Sequence, residues 1–121
     1  MSISADILRG HTDTIILTQL VGKDSYGYEI NKNVRERTGG RYEFKEATLY
    51  TAFKRLEQSG LITSYWGGDG PGARRRYYAV TEDGRKQWEE KRCEWEETRS
   101  LLDALLSQNE QAITEVNYES D

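Results

Sequence analysis

Residues 45–80 carry four segments in order: KEATLYTAFKRLEQSG, LITSYW, GGDGPGA and RRRYYAV. The first segment places Leu49, Phe53 and Leu56 at i, i+4 and i+7, the spacing of an amphipathic helix, and a glycine ends it. LITSYW and RRRYYAV have the composition of two short strands joined by a glycine-rich turn. We therefore predict a helix over about 46–59 and then a β-hairpin, the arrangement of the recognition helix and wing in a winged helix-turn-helix domain.

Charge is distributed unevenly along the 121 residues, whose net charge is −4. Residues 1–40 are balanced, residues 41–80 carry seven basic and four acidic side chains, and residues 81–121 carry five basic and twelve acidic ones. Local charge matters more than total charge for docking on phosphates. The middle third is therefore expected to bind nucleic acid, whereas the acidic C-terminal third is not.

The remaining segments predict three more helices. The pattern from Ala5 to about Gly22 is helical, and Ser25 stands where the N-cap of a second helix belongs. Thr81 is placed to cap a long last helix. We expect a mainly α fold with a small β-hairpin, in three parts: a winged helix-turn-helix domain over residues 5–80, a C-terminal dimerisation helix over residues 81–106, and a disordered acidic tail over residues 107–121.

The helix predicted over 46–59 has a polar face opposite its apolar one, formed by Ala47, Thr51, Lys54 and Gln58. Thr48 and Tyr50 flank this polar face. Small residues, hydroxyls and cations suit a helix that enters the major groove, although an ordinary solvated helix has a similar composition.

Three arginines open the second predicted strand. Because side chains alternate along a strand, Arg74 and Arg76 share one face and Arg75 lies on the other. Arginines at the end of a hairpin can clamp phosphates or enter a minor groove. Positive charge also protects an exposed edge strand from association, and both interpretations can hold together.

Composition gives little support for catalysis. His11 is the only histidine and Cys93 the only cysteine, so an internal disulfide is excluded and a zinc site would need several carboxylates. We expect no special role for Cys93. Neither a phosphate-binding glycine loop, a signal peptide nor an apolar run long enough for a membrane span is visible. We expect a cytoplasmic protein that is not an enzyme and uses no metal or cofactor.

These motifs resemble those of the PadR family of bacterial transcriptional regulators. The matching stretches are LRG from residue 8, ILTQL from 16, SYGYEI from 25, EATLY from 46, KRLE from 54, GLI from 60, RYY from 76 and TExG from 81. The resemblance covers about residues 8–106. Within the family, the sequence is similar to the short subfamily with one C-terminal helix, which includes multidrug-sensing repressors of efflux transporter genes. It implies a homodimer that binds an inverted-repeat operator in double-stranded DNA. The implied DNA contacts are Tyr50, Lys54, Arg74, Arg75 and Arg76, with Thr48 and Thr51 as further candidates.

The last predicted helix carries an apolar seam. Trp88, Trp95 and Leu102 repeat every seven residues, and Leu105 continues the stripe, so we predict that these residues form a dimer interface. The resemblance further implies that Trp95 faces its symmetry mate across a pore in which flat aromatic molecules stack. The predicted effector pocket contains Ile7, Thr14, Leu17, Trp88 and Trp95.

Three cations lie near Trp95 in the sequence: Lys91, Arg92 and Arg99. A pocket that binds cationic ligands would instead be lined by apolar or acidic side chains. Either the three cations pair with neighbouring glutamates, which we favour, or the pocket accepts neutral or anionic aromatics. The expected function is a repressor that a small aromatic effector releases from DNA. The alternative is a winged-helix module for protein–protein contact, although such modules usually lack a basic wing.

Overall fold

The computed structural model describes residues 3–68 and 74–109, with five helices and a two-stranded antiparallel sheet in these residues. The elements in chain order are α1 (Ile3–Arg9), α2 (Thr12–Gly22), α3 (Gly27–Arg37), α4 (Glu46–Gln58), β1 (Ile62–Gly67), β2 (Arg75–Val80) and α5 (Glu82–Leu106). The mainly helical fold with a hairpin and a long last helix is the predicted one. Most of the glycine-rich turn, and residues 110–121 of the predicted tail, lie outside the described residues.

The N-terminal segment is not the single helix predicted from Ala5 to Gly22. It breaks between Arg9 and Thr12, where His11 N donates to Leu8 O at 2.9 Å, a tighter turn than that of an α-helix, and the Thr12 hydroxyl donates to the Arg9 carbonyl at 2.8 Å. A short polar side chain that bonds to local backbone competes with helix continuation, and here it prevails.

Ser25 does not act as the N-cap that the sequence suggested. Helix α3 begins two residues later, and the Ser25 hydroxyl donates to the Glu29 carboxylate at 2.6 Å. The Ser25 backbone instead pairs with Tyr78 of β2, through Ser25 N to Tyr78 O at 3.1 Å and Tyr78 N to Ser25 O at 2.7 Å. This bridge ties the start of the helix-turn-helix to the hairpin.

The end of α3 and the loop before α4 are fixed by local hydrogen bonds. Gly40 N donates to Arg35 O at 2.8 Å, with φ of +79° at Gly40, a helix stop that needs the left-handed region. The Asn31 amide then bonds to both the amide and the carbonyl of Phe44, each at 2.8 Å. The loop is therefore held against α3, which sets where α4 begins.

One core joins helices α2, α3 and α4 to the base of the hairpin. Its members are Ile16, Leu17, Leu20, Ile30, Val34, Phe44, Leu49, Ala52, Phe53, Leu56, Ile62 and Tyr78. The Phe53 and Tyr78 rings stack with centroids 3.9 Å apart, so the hairpin is packed directly on α4. The strands pair from Ile62 opposite Val80 to Gly67 opposite Arg75.

The first turn of α5 is anchored to the residues before β1. The Thr81 hydroxyl accepts a hydrogen bond from Gly84 N at 3.0 Å, the cap that the sequence predicts, and donates to Gly60 O at 2.7 Å. Gly84 is buried against Leu61. The chain consists of two compact units, Met1–Glu89 and Glu90–Asp121. The first unit therefore extends beyond residue 80, the predicted end of the winged helix-turn-helix domain.

Candidate nucleic-acid interface

Helix α4 separates its residues cleanly by burial. Leu49, Ala52, Phe53 and Leu56 are buried, whereas all members of the polar face (Ala47, Thr51, Lys54 and Gln58) are exposed. Lys54 forms no ion pair with any residue that the structure describes. The polar face therefore presents a methyl group, a hydroxyl, an ammonium and an amide from one side of a helix, groups that contact base edges and phosphates in a major groove.

Thr48 is half-buried at the edge of the polar face, beside a cleft of about 380 Å³. Arg9, Thr12, Ala47, Thr51 and Arg55 complete the lining of this cleft. Its walls combine a methyl group and threonine hydroxyls with the guanidinium groups of Arg9 and Arg55, which pair with Asp6 and Asp13. Because Thr48 and Thr51 both reach it, the cleft is continuous with the polar face of α4.

Tyr50 has 47% of its surface exposed and packs edge-on against Phe53, with ring centroids 5.7 Å apart. Its hydroxyl lies 2.9 Å from the position that a β-carbon on Gly27 would occupy. The ring is thus held between the core and the first residue of α3, with one edge left open. Gly27 is the residue type that leaves room for it.

Arg55 is committed to an ion pair within the chain. Its Nε donates to Asp13 Oδ2 at 3.2 Å and its Nη2 donates to Asp13 Oδ1, a two-point contact that joins α4 to α2. The hydrogen bond to Asp13 raises the pKa of the Arg55 guanidinium. Arg55 flanks the polar face, yet its charge is already balanced.

The three arginines alternate as predicted. The guanidinium carbons of Arg74 and Arg76 lie 5.6 and 5.7 Å from the centroid of the Trp66 ring, and that of Arg75 lies 4.8 Å from the Tyr26 ring on the other face. All three side chains are exposed. Arginine over an aromatic face is an electrostatic attraction that also restricts the side chain.

Arg76 has further partners. Its Nη2 donates to Ser64 Oγ at 2.8 Å and lies 3.7 Å from Glu57 Oε1, while Ser64 Oγ donates to Glu57 Oε2 at 2.6 Å. Burial raises the pKa of the Tyr78 hydroxyl, and the positive charge of the nearby Arg76 guanidinium acts in the opposite direction. A carboxylate on α4 is therefore linked to a cation on the wing.

Sequence reasoning missed the aromatic residues of the wing. Trp66 is 55% exposed, and on the other face the Tyr65 and Tyr77 rings stack at 5.6 Å. The Tyr65 hydroxyl donates to Asp24 at 2.6 Å, which raises the pKa of Tyr65. The alternation of LITSYW against RRRYYAV could have revealed them, because cross-strand register pairs Tyr65 with Tyr77 and Trp66 with Arg76.

Four of the five predicted effector residues lie in the first compact unit, and they differ in exposure. Ile7 is exposed and Thr14 half-buried, but Leu17 is only 1% exposed and belongs to the core. The expectation that Leu17 lines a pocket is wrong for that reason. Trp88 packs against the core, and its Nε1 donates to Thr18 Oγ1 at 2.9 Å.

Trp95 belongs to the second compact unit, where it is 41% exposed. The predicted seam residues Leu102 and Leu105 are exposed in the same helix, as are Leu101 and Leu106. The cations near Trp95 include two that pair with glutamates one turn away, Lys91 with Glu94 at 3.5 Å and Arg99 with Glu96 at 2.7 Å. This agrees with the ion-pairing interpretation.

Residues 3–68 and 74–109 contain neither a cluster of metal ligands nor a membrane-spanning helix. No group of three or more His, Cys, Asp or Glu side chains in these ranges could hold a metal ion. No helix there has both the length and the apolar character needed to cross a bilayer. Cys93 is exposed.

Comparison with known proteins identifies the family. The model of the PadR-like transcriptional regulator family matches residues 16–90. The structure of a transcriptional regulator from Clostridium thermocellum is 48% identical, with a TM-score of 0.76 over 85% of this chain and 97% of that one. A PadR family transcription regulator from Clostridium difficile is 40% identical, with a TM-score of 0.71 over 79% of this chain and 98% of that one.

A more distant structure shares the fold. Bacillus subtilis PadR, solved in complex with operator DNA, is 24% identical, and the match spans 64% of this chain and 43% of that one with a TM-score of 0.58. The family match and the two closer structures together cover the helix-turn-helix, the wing and the start of α5. The chain therefore belongs to the PadR-like family of transcriptional regulators, which are DNA-binding proteins and not enzymes.

Proposed function

We propose that two copies of this chain bind an inverted-repeat operator in double-stranded DNA and repress transcription until a small aromatic effector releases them. The observation that carries the DNA-binding role is the exposed polar face of α4, packed in one compact unit with an arginine-bearing wing. A helix of this composition suits the major groove, and a basic hairpin beside it suits the flanking phosphates or minor groove. The complex of Bacillus subtilis PadR with operator DNA supports this role.

The named DNA contacts are Thr48, Tyr50, Thr51 and Lys54 on α4 and the arginines of the wing. Of the wing arginines, Arg74 and Arg75 have aromatic neighbours, whereas Arg76 also pairs with a carboxylate. We expect Arg74 and Arg75 to make the direct phosphate contacts, because their charges are not shared with a carboxylate among the described residues.

The test of this role is the salt dependence of binding to duplex DNA. The probe is the duplex that the wild-type protein selects from a random-sequence pool. Its binding is measured by fluorescence anisotropy at salt concentrations between about 50 and 200 mM. We expect affinity to fall steeply over that range, because each phosphate contact releases a counterion. Affinity that ignores salt, or no binding at all, would favour the alternative, a winged-helix module for protein–protein contact.

The dimer rests on the second compact unit. Its helix exposes a row of large apolar side chains, namely Trp95, Leu101, Leu102, Leu105 and Leu106. Contiguous exposed apolar side chains mark interaction surfaces, and a two-fold pair is the commonest solution for identical chains. Such a dimer would place two copies of α4 at a fixed spacing, which an inverted repeat matches.

Sedimentation equilibrium tests the dimer. We expect two chains for the wild type and one for Leu102→Glu combined with Leu105→Glu, because the seam would then bury two carboxylates. Glu97→Gln, an exposed change on the same helix, serves as the control and should leave two chains. A double variant that stays dimeric would place the interface elsewhere.

The effector pocket is proposed around Trp95, with Ile7, Thr14 and Trp88 as further lining residues. Planar aromatic molecules stack favourably on an indole, and Trp95 is exposed enough to offer a face. Titration with a planar aromatic dye should quench tryptophan fluorescence in the wild type and in Trp66→Phe but much less in Trp95→Ala. Undiminished quenching in Trp95→Ala would remove Trp95 from the pocket.

Repression is the usual mode of regulation in this family, and we place the protein in the cytoplasm, where bacterial DNA lies. A reporter gene behind the selected duplex tests the sign of regulation. Expression should fall when the protein is supplied and recover on addition of a dye that quenches Trp95. A rise in expression on supplying the protein would show activation instead.

A further inference from the structure

Glu57 is an anionic side chain on the helix proposed to recognise DNA, and its carboxylate faces the wing. Its Oε2 accepts a 2.6 Å hydrogen bond from Ser64 Oγ of β1, and its Oε1 lies 3.7 Å from Arg76 Nη2 of β2. Arg76 Nη2 donates to the same Ser64 hydroxyl at 2.8 Å. The three side chains thus form a closed ring that spans α4, β1 and β2.

This ring begins at the packed base of the wing and extends towards the hairpin tip. Ser64 pairs with Tyr78, the residue that stacks on Phe53, whereas Arg76 lies two residues further towards the tip. Charge-assisted hydrogen bonds are directional, so the ring adds a second tie between the wing and α4. This second tie connects Arg76, which lies beyond the stacked base, back to α4.

The ring also limits the freedom of Arg76. Ser64 and Glu57 hold its guanidinium on one side, and Trp66 lies 5.7 Å from it on another. Arginine loses much rotamer freedom when it is held by a partner, and a group that is ordered beforehand does not lose that freedom on binding. The Arg74 guanidinium lies 5.6 Å from the centroid of the same Trp66 ring. Arg74 and Arg76 therefore share Trp66 as a neighbour that restricts their side chains.

We propose that Glu57 is a positioning residue that strengthens DNA binding by holding Arg76, and through it the wing, in the conformation that docks on DNA. This inference rests on the proposed DNA-binding function. From charge alone, a carboxylate beside phosphates is expected to weaken DNA binding, whereas a positioning role for Glu57 predicts that it strengthens binding. The sign of its effect on affinity therefore distinguishes positioning from repulsion.

The experiment compares Glu57→Gln with Glu46→Gln on the duplex selected by the wild-type protein. Both changes remove one negative charge from α4, and Glu46 is exposed and pairs with no cation among the described residues. We expect Glu46→Gln to bind as tightly as the wild type or more tightly. Glu57→Gln should bind about 1.5- to fivefold more weakly, the range for loss of a partly exposed ion pair.

A second variant removes the link without changing charge. Ser64→Ala deletes the hydroxyl that joins Glu57 to Arg76 and should weaken binding by a similar factor. Circular dichroism on both variants should show the wild-type spectrum and a folded protein at the binding temperature. A loss of affinity that appears only where the fold melts would overturn the proposal.

Removal of Arg76 separates positioning from a purely structural role. In the Arg76→Gln background Glu57 keeps the hydrogen bond from Ser64 but has no cation left to position, so its charge mainly repels phosphate and a further Glu57→Gln change should tighten binding. If Glu57→Gln weakens binding equally in both backgrounds, or tightens it while Arg76 is present, the inference is wrong. If the wild-type protein itself binds no duplex DNA, the proposed function fails, and this inference fails with it.

Discussion

Gly84, in the first turn of α5, lies against the backbone carbonyl of Leu61 so closely that a β-carbon would overlap the carbonyl oxygen. The Val80 side chain closes the same space at 2.7 Å. Backbone cannot move aside as a flexible side chain can. The TExG motif at residue 81 therefore has a physical reason: its threonine caps the helix, and its glycine lets the helix approach the hairpin.

We expect Gly84→Ala to lower the free energy of unfolding by about 1–3 kcal/mol, the range for overpacking a filled site. The clash outweighs the gain in helix propensity of about 1 kcal/mol that alanine brings. Urea unfolding followed by circular dichroism measures the change. Gly22→Ala is the control, since no atom lies within 4 Å of its β-carbon position, and it should be neutral or stabilising.

The two-point pair of Asp13 with Arg55 should stabilise the attachment of α4 to α2 only modestly, because 42% and 52% of the two side chains are exposed. A double-mutant cycle with Asp13→Asn and Arg55→Gln should give a coupling energy of about 0.5–1 kcal/mol. The one-point pair of Arg35 with Glu43, at 3.0 Å, offers a comparison and should couple less. Equal coupling in both cycles would show that the second contact adds nothing.

The buried hydroxyl of Tyr78 should make the stability of the fold decrease at alkaline pH. Burial raises the pKa of its hydroxyl above the ordinary value of 10.0, so the folded protein holds this proton more tightly than the unfolded chain does. The stability from this difference is fully present below about pH 10 and is lost as pH rises through the folded-state pKa.

Unfolding by urea at about pH 8 and about pH 10.5 compares stability below the ordinary tyrosine pKa with stability once the loss has begun. Tyr78→Phe keeps the ring stacked on Phe53 but removes the titrating group, so its stability should fall less between the two pH values than that of the wild type. Tyr28→Phe, at a ring that is 67% exposed, is the control and should fall as the wild type does. Equal slopes in all three proteins would contradict the expectation.

Lys54 should contribute to DNA affinity but not to sequence specificity, because we expect it to contact phosphate. Lys54→Gln is expected to weaken binding to all duplexes alike and to reduce the slope of log affinity against log salt by about one. Lys86→Gln, an exposed change near the start of α5, should leave both unchanged. A variant that weakens binding to only some sequences would indicate a base contact at Lys54.

Local patterns in the sequence predicted the parts of the site that depend on one element. The spacing of Leu49, Phe53 and Leu56 identified the buried side of α4, and strand alternation separated Arg75 from its neighbours. Both follow from the geometry of a single helix or strand. The bounds of α4 differ from the prediction by only one residue, because a glycine follows the helix.

Relationships across elements could not be predicted in the same way. The ring of Glu57, Ser64 and Arg76 joins residues from three elements, and no spacing along the chain encodes their distances. Leu17 was misplaced because its role was taken from a presumed dimer pore, whereas the phase of α2 turns it into the core. The break before Thr12 involves a tight backbone turn and a hydrogen bond from the Thr12 hydroxyl to the Arg9 carbonyl, neither of which the apolar spacing of the segment reveals.

Two carboxylates, Asp13 and Glu57, balance the charges of Arg55 and Arg76, so the surface proposed to meet DNA is less cationic than the basic residues in its sequence suggest. Attachment to arbitrary DNA grows with every unbalanced cation, and a genome presents about a million or more competing sites. A regulator with fewer unbalanced cations is held less often at those sites. Asp13 and Glu57 would thus lower the number of protein molecules that a cell needs to keep one operator occupied.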